Sequence, residues 1–256
     1  MVQTRHQRIL EILTRQQTAT VAELSEQLAV STVTIRADLN QLAVDGQVVR
    51  THGGARLAKE RKRQEQSFAT RQQMHADAKR RIGRLAASLV EPNESILLDA
   101  STTAVAVGQA LTKMSQLDNV TVVTTGIWTA LELLGAPHLN VLLSGGQLRN
   151  TSGSINGAIT TENLNRFNFN KAFLGAWGLD VDAGLTDAPL MEVELKRTVI
   201  QNSREVIAVV DGSKFGRLGL ASFAAPAQIS RIITDDSAPA EMVAAFRALG
   251  VVVDCV

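Results

Sequence analysis

Cysteine is almost absent from the 256 residues: Cys255 stands alone beside the C-terminus, so one chain can build neither a disulfide framework nor a Cys-x-x-Cys metal knuckle. That usage suits a reducing, cytoplasmic setting, which is the expected location. No apolar run approaches the roughly 20 residues of a membrane-crossing helix. Met1-Val2-Gln3-Thr4-Arg5 leads into an amphipathic pattern rather than the apolar core of a secretion signal, so no membrane partner is expected. His6, His52, His75 and His138 show neither His-x-x-His nor His-Glu-x-x-His spacing, which leaves a zinc or iron site without support. Gly212, Gly216 and Gly219 flank Lys214, but not in the order of a nucleotide-binding phosphate loop. The expectation is therefore no metal, no cofactor and no nucleotide hydrolysis.

What is present is length enough for two unequal domains and an apolar fraction of 45% to fill their cores. The net charge of +1 conceals an asymmetry. Residues 1–84 hold 15 Lys and Arg against 8 Asp and Glu, whereas residues 85–256 hold 11 against 17. A basic head on an acidic body is expected where only the first part meets a polyanion such as DNA.

Apolar spacing and capping residues predict three short helices in the head. The first is expected to start at Thr4, with Gln7 as its capping partner, and to bury Ile9, Ile12 and Leu13. The second starts at Thr20 with Glu23 in the same relation and buries Val21, Leu24 and Leu28. The third follows Ala29-Val30, with Ser31 as its cap, Ile35, Leu39 and Leu42 inward and Gly46 past its end. Two helices joined by so short a turn cross steeply, as in a helix-turn-helix.

Burying Ile35, Leu39 and Leu42 turns Thr32, Val33, Thr34, Arg36, Ala37 and Asn40 outward or to the flank, near the helix end that enters a major groove. With Thr20 and Ser31 they are candidate DNA-binding residues. After Gly46, a strand, a Gly53-Gly54 turn and a return strand read as a wing. There Arg50 and His52 can reach phosphate or the minor groove, and the two glycines let backbone pass close to DNA.

From residue 95 onward, apolar runs alternate with helical patterns, predicting a largely parallel sheet with covering helices. The runs are Ser95–Asp99, Val120–Thr124, Val141–Ser144, Ala172–Gly175, Val206–Asp211 and Ile232–Asp235. The expected fold class is α/β, with a winged helix-turn-helix ahead of a larger open α/β domain. In open sheets ligands sit beyond the carboxyl ends of the strands. Those ends carry Asp99-Ala100-Ser101-Thr102-Thr103, Thr124-Thr125-Gly126, Ser144-Gly145-Gly146 with Arg149, and Asp211-Gly212-Ser213-Lys214. Hydroxyls at strand-to-helix turns favour an anion, Gly145 and Gly146 allow close backbone approach, and Asp99, Asp211 and Lys214 suit hydroxyls and a phosphate. A phosphorylated sugar or polyol is the expected effector.

Two sets of residues carry a family resemblance. Val21-Ala22-Glu23-Leu24, Val30-Ser31, Thr34-Ile35-Arg36, Asp38-Leu39, Leu42, Gly46, Arg50 and His52-Gly53-Gly54-Ala55 resemble the head of the DeoR-type bacterial sugar-metabolism repressors. Leu98-Asp99, Ser101-Thr102-Thr103, Gly145-Gly146, Phe173-Leu174-Gly175, Gly184-Leu185-Thr186, Glu192, Lys196, Asp211-Gly212-Ser213-Lys214-Phe215 and Ile233-Thr234-Asp235 resemble its effector domain. The resemblance implies a body folded like ribose-5-phosphate isomerase and CoA transferases, and it adds Lys196 to the effector-binding candidates. It also implies a layout of DNA-binding domain 3–58 (helix-turn-helix 20–39), helical linker 59–84 containing Arg61-Lys62-Arg63, and effector domain 85–256. Two positions depart from the family pattern: Ala37, where an Arg is usual, and Ala100, where a Gly is usual.

The function expected is sequence-specific regulation of transcription by a homo-oligomer, dimer or tetramer, that binds double-stranded operator DNA and responds to a sugar phosphate. Asp99, Asp211 and Lys214 also permit an isomerase-like reading. A catalyst has no need of a groove-reading helix, so no catalytic residue is assigned.

Overall fold

A computed structural model of the chain describes residues 2–16, 18–44, 48–51, 53–57 and 67–256. Gly46, His52 and Arg61-Lys62-Arg63 lie outside the described residues. The chain divides into two units, Met1–Gln64 and Glu65–Val256.

The first unit comprises α1 (Val2–Gln16), β1 (Thr18–Thr20), α2 (Val21–Leu28), α3 (Thr32–Val44), β2 (Val48–Thr51) and β3 (Gly54–Leu57). Residues three or four apart on each helix share a face, and those faces close one core of Ile9 and Leu13, Val21 and Leu24, and Ile35, Leu39 and Leu42, with Val48 and Ala55 from the hairpin. The first helix begins at Val2, ahead of Thr4, so Thr4 is an internal residue rather than its cap. The second helix is capped as its sequence predicts: the Glu23 N–H donates to the Thr20 hydroxyl at 3.2 Å and the Thr20 N–H to the Glu23 carboxylate at 2.6 Å. The wing carries a third strand that the alternation pattern does not reveal, because β1 is only three residues long. It pairs antiparallel with β3, giving the order β1-β3-β2.

The second unit opens with α4 (Phe68–Gln73) and α5 (Ala76–Ser88). Residues 67–84, the described part of the expected linker, are thus built into the body. The reason is a small-residue stripe: Ile82, Gly83, Ala86 and Ala87 of α5 are buried. A Cβ on Gly83 would lie 2.5 Å from the Ala106 carbonyl oxygen, so only glycine permits this approach to the next helix.

The sheet and its cover follow as β4 (Ser95–Leu98), α6 (Thr102–Leu111), β5 (Val120–Thr124), α7 (Ile127–Leu133), β6 (Leu139–Leu143), β7 (Gln147–Arg149), β8 (Ser154–Asn156), α8 (Ala158–Leu164) and β9 (Phe169–Leu174). Then come β10 (Gly178–Asp180), β11 (Gly184–Asp187), α9 (Leu190–Gln201), β12 (Ser203–Val209), β13 (Ala221–Ala224), β14 (Arg231–Thr234), α10 (Ala240–Ala248) and β15 (Val252–Cys255). Seven strands form one sheet in the order β15-β14-β12-β9-β4-β5-β6. Every pair in it is parallel. All six apolar runs lie in it, and β15 extends it by one unforeseen edge strand.

Alternation along each strand sends side chains to two cores. Ile96, Leu98, Val120, Val122, Phe173 and Ile207 meet Ile82 of α5 and Leu111 of α6. Leu97, Val123, Ala172, Leu174 and Ala208 meet Val193 and Val199 of α9 and Phe246 of α10. Both faces are covered, as a parallel sheet requires. The chain lays β5 and β6 on one side of β4, then crosses to place β9 and β12 on the other. Strand order therefore reverses between β4 and β9, where open sheets hold ligands.

Candidate nucleic-acid interface and ligand crevice

Ser31 caps the third helix: its hydroxyl accepts the Thr34 N–H at 3.2 Å and meets the Thr34 hydroxyl at 2.8 Å. Beyond that cap, Thr32, Val33, Arg36, Ala37 and Asn40 are exposed and Thr34 is half-buried, so one face presents a cation, an amide, hydroxyls and an apolar contact to solvent. Val33 is 72% exposed, a methyl-rich surface at the helix start suited to a thymine methyl group. The opposite face is fixed by a bond not evident from the sequence: Arg5 of α1 donates to both carboxylate oxygens of buried Asp38.

In the wing, Arg50 is exposed on β2. The two glycines have different reasons to be glycine. Gly53 has a φ of +87° with open space around it, and its carbonyl accepts the Val21 N–H at 2.9 Å. A Cβ on Gly54 would lie 2.2 Å from the Ala19 carbonyl oxygen, so Gly54 is set by the packing of β3 on β1. Close approach to DNA is not needed to explain it.

In the body, the strand ends converge at the reversal point. Asp99, just after β4 and 3% exposed, accepts the Ser101 N–H and the Gly175 N–H, each at 2.9 Å, and so ties the end of β4 to that of β9. Lys196 of α9 reaches into the same place, 2.8 Å from Asp187, 3.2 Å from Asp99 and 2.8 Å from the Gly175 carbonyl. Burial disfavours that ammonium, but Asp187, Asp99 and Glu192 outweigh it and hold the group charged beyond the ordinary lysine value. Asp99 and Lys196 thus spend their charge on each other and on the backbone, shaping the crevice floor.

Other expected ligand groups have internal work as well. Ser101 caps α6 by accepting the Ala104 N–H at 3.0 Å, while Thr102 and Thr103 are buried at its start. The Thr124 hydroxyl accepts the Gly126 N–H at 3.0 Å, and the carbonyl of buried Thr125 accepts the Ile155 N–H at 2.7 Å. Gly145 and Gly146 turn against α8: the Thr160 hydroxyl donates to the Gly145 carbonyl at 2.7 Å, and a Cβ on Gly146 would meet that hydroxyl at 2.1 Å. Packing thus sets Gly146, whereas Gly145 is set by its φ of +68°, an added Cβ there meeting nothing closer than 3.9 Å. Arg149 lies 3.6 Å from Glu192, whose carboxylate also accepts from Ser154 and Asn156.

At the end of β12, the carboxylate of Asp211 accepts the Ser213 N–H at 3.1 Å and the Ser213 hydroxyl. Lys214 follows, half-buried, and its ammonium makes no hydrogen bond among the described residues. Burial pushes it below the ordinary lysine range; Arg217 and Arg71 push the same way, and Asp211 and Asp187 oppose. Sequence reasoning missed one further cation, Lys79 of α5, which is 5% exposed. The signal was present, since Lys79 falls on the same helical stripe as Ile82 and Ala86.

Comparison with known proteins agrees with this division. The profile of a DeoR-like helix-turn-helix domain matches residues 5–61, and that of a DeoR C-terminal sensor domain matches residues 74–236. The HTH-type transcriptional regulator GolR of Listeria innocua is 35% identical over 232 residues, 91% of this chain and 90% of that protein. The glycerol-3-phosphate regulon repressor of Escherichia coli is 34% identical over 235 residues, covering 92% of this chain and 91% of that protein. Ribose-5-phosphate isomerase A of Methanocaldococcus jannaschii resembles part of the chain at a TM-score of 0.41 and 18% identity, over 55% of this chain and 54% of that one, a likeness too loose to bear on function. With both domains matched in order and relatives aligned over nearly their whole length, the chain belongs to the DeoR family of transcriptional regulators.

Proposed function

We propose that the protein is a cytoplasmic repressor that binds double-stranded operator DNA as a homo-oligomer and changes its operator affinity when a phosphorylated sugar or polyol enters the crevice of its second unit. The observation that carries the ligand class is Lys214, a half-buried ammonium beside Asp211 with no hydrogen bond among the described residues. A phosphate supplies the charge that burial withholds from it, while Asp211 stands beside it for the ligand's hydroxyls. DNA reading falls to Thr32, Val33, Arg36, Ala37 and Asn40 on the recognition helix and to Arg50 on the wing. Two half-sites bound by two copies give the contact area that one small head lacks.

An effector shifts the DNA equilibrium only by its difference in affinity between the two states. Lys214→Ala is therefore expected to leave operator binding intact and make it insensitive to effector. The measurement is fluorescence anisotropy of a labelled operator complex titrated with phosphorylated pentoses, hexoses and polyols. Glycerol 3-phosphate heads the panel because a relative is named for it. A mutant that responds at the wild-type concentration removes Lys214 from the site, and a wild type that responds to no phosphorylated compound rejects the ligand class.

A further inference from the structure

One edge of the seven-stranded sheet is guarded and the other is not. At the β15 edge the strand carries Asp254, paired with Arg231 at 2.5 Å, a charge of the kind that keeps an edge from pairing with another chain. At the opposite edge β6 reads Leu139-Asn140-Val141-Leu142-Leu143, and the chain from Leu139 to Leu148 holds no charged residue and no proline. Among the described residues β6 pairs with β5 alone. The Ser144 N–H donates to the Thr124 carbonyl at 3.0 Å, so Asn140, Leu142 and Ser144 turn their main-chain groups toward β5. Alternation then turns those of Val141 and Leu143 outward, past the end of the sheet.

A second copy of the same strand, related by a twofold axis, satisfies those groups. With Val141 opposite its own counterpart the two exchange both N–H···O bonds, Leu143 stands opposite Leu139, and Leu142 opposite Asn140. No charge meets its like in that register. The helix over this edge is apolar toward the same side. A Cβ on Gly108 of α6 would touch Thr129 at 3.6 Å and Leu133 at 3.7 Å, so that face of α7 is turned to α6. Ile127, Leu131 and Leu134, spaced by four and then three residues, fall on the opposite face, where the sheet ends at β6. Leu131 and Leu134 are 51% and 76% exposed, and Leu142 and Leu143 are 38% and 44% exposed. Those four side chains offer roughly 400 Å² of apolar surface on each copy, a patch of the size that marks an interaction site. Doubled across a symmetric pair, that is about 800 Å² before the polar rim is counted, against about 1,200 Å² for a specific interface.

We propose that β6 and α7 form the surface through which two copies of the chain associate, their sheets joined edge to edge by antiparallel β6 strands. This assignment rests on the homo-oligomeric reading above and gives it a location. A second copy suits the surface better than an unrelated strand, because one uncharged, self-complementary edge serves both partners and brings together the two heads that two half-sites require.

The test is sedimentation velocity of the full chain over a range of concentrations. Wild type is expected to associate, with Leu143→Lys and Leu131→Glu each weakening association tenfold or more by burying a charge in the seam. Val252→Lys, on the exposed side of the opposite edge strand, leaves it unchanged. Val141→Cys in a Cys255→Ser background cross-links two copies on mild oxidation, since the register sets each Cα about 5.5 Å from its counterpart. Should Leu143→Lys prove unfolded by circular dichroism, Leu131→Glu and the cross-link decide. Association unweakened in the folded charge variants, or lost in Val252→Lys instead, overturns this inference and leaves the homo-oligomeric reading standing. Loss in the charge variants without any cross-link overturns the strand pairing. A wild type that stays monomeric at every concentration, with and without operator DNA, overturns that reading and this inference with it.

Discussion

Arg5 of the first helix holds Asp38 of the recognition helix through two parallel bonds, Nε to Oδ2 at 2.5 Å and Nη2 to Oδ1 at 2.8 Å, with His6 3.1 Å from the same carboxylate. The hydrogen bond from Arg5 is the chief cause of a carboxyl held below the usual range; burial opposes it and His6 assists. The recognition helix is thereby registered on α1 from the side away from its exposed face.

That pairing makes the head acid-sensitive. Asp38 has a lower value folded than unfolded, so its contribution is fully present above the unfolded carboxyl value of about 3.9 and is lost as pH falls through the folded value. Asp38→Asn is expected to lower the melting temperature at neutral pH, to flatten the acid limb of stability, and to weaken binding to operator and random DNA alike. Melts followed by circular dichroism between about pH 2 and 7, for both proteins, check this. An acid limb identical in wild type and variant excludes Asp38 as its source.

Arg36 and Ala37 sit side by side on the exposed face, one with a charge and one without. Arg36→Ala should cost about 1–3 kcal/mol of operator affinity if it reads a base, or weaken all sequences evenly and reduce the salt slope if it grips phosphate. Ala37→Arg should tighten binding or shift sequence preference. Selection from random DNA with both variants separates these outcomes, and unchanged affinity and preference in both remove this face from the interface.

The two wing glycines should respond very differently to alanine. Gly54→Ala places a Cβ 2.2 Å from the Ala19 carbonyl oxygen and 2.8 Å from the Thr20 Cα, so β1 and β3 must separate. Overpacking of this kind costs about 1–3 kcal/mol. Gly53→Ala meets no atom and carries only the left-handed backbone penalty, roughly 1 kcal/mol. Urea unfolding of the two variants ranks them, and equal losses contradict the packing role of Gly54.

Lys79 should give the body an unusual alkaline response. Burial lowers its value to about 8, with Lys214 and Arg71 adding to the effect and Asp211 opposing it. Between about pH 8 and the ordinary lysine value near 10.4, the unfolded chain binds more protons than the folded one, so stability contributed by this group rises with pH, by up to about 3 kcal/mol. Lys79→Met removes the rise. Unfolding midpoints of wild type and variant at about pH 7, 8.5 and 10 are the comparison, and parallel pH profiles reject the assignment.

The sheet was legible because fully buried parallel strands read as short apolar runs, as Ser95–Leu98 and Val120–Thr124 do. β15 was not, since an edge strand alternates exposed and buried residues and ends in Asp254-Cys255. The recognition helix was legible from Ser31, Ile35, Leu39 and Leu42, whose caps and spacing are local. The roles of polar residues were harder to read. Asp99 and Asp187 stand at strand ends and Lys196 in the middle of α9, and only the folded topology brings them together. Gly145 and Gly146 have the composition of a ligand loop, whereas their geometry is decided by Thr160, a contact that no local pattern encodes.

The bond from the Val21 N–H to the Gly53 carbonyl fastens the tip of the wing to the start of the helix-turn-helix. The head therefore works as a ruler of fixed length. On the proposed DNA-binding reading, the step along the duplex between the recognition helix and the wing is then built into the fold rather than adjusted to each site. An operator lengthened by one base pair between those two contacts can satisfy either of them, but not both.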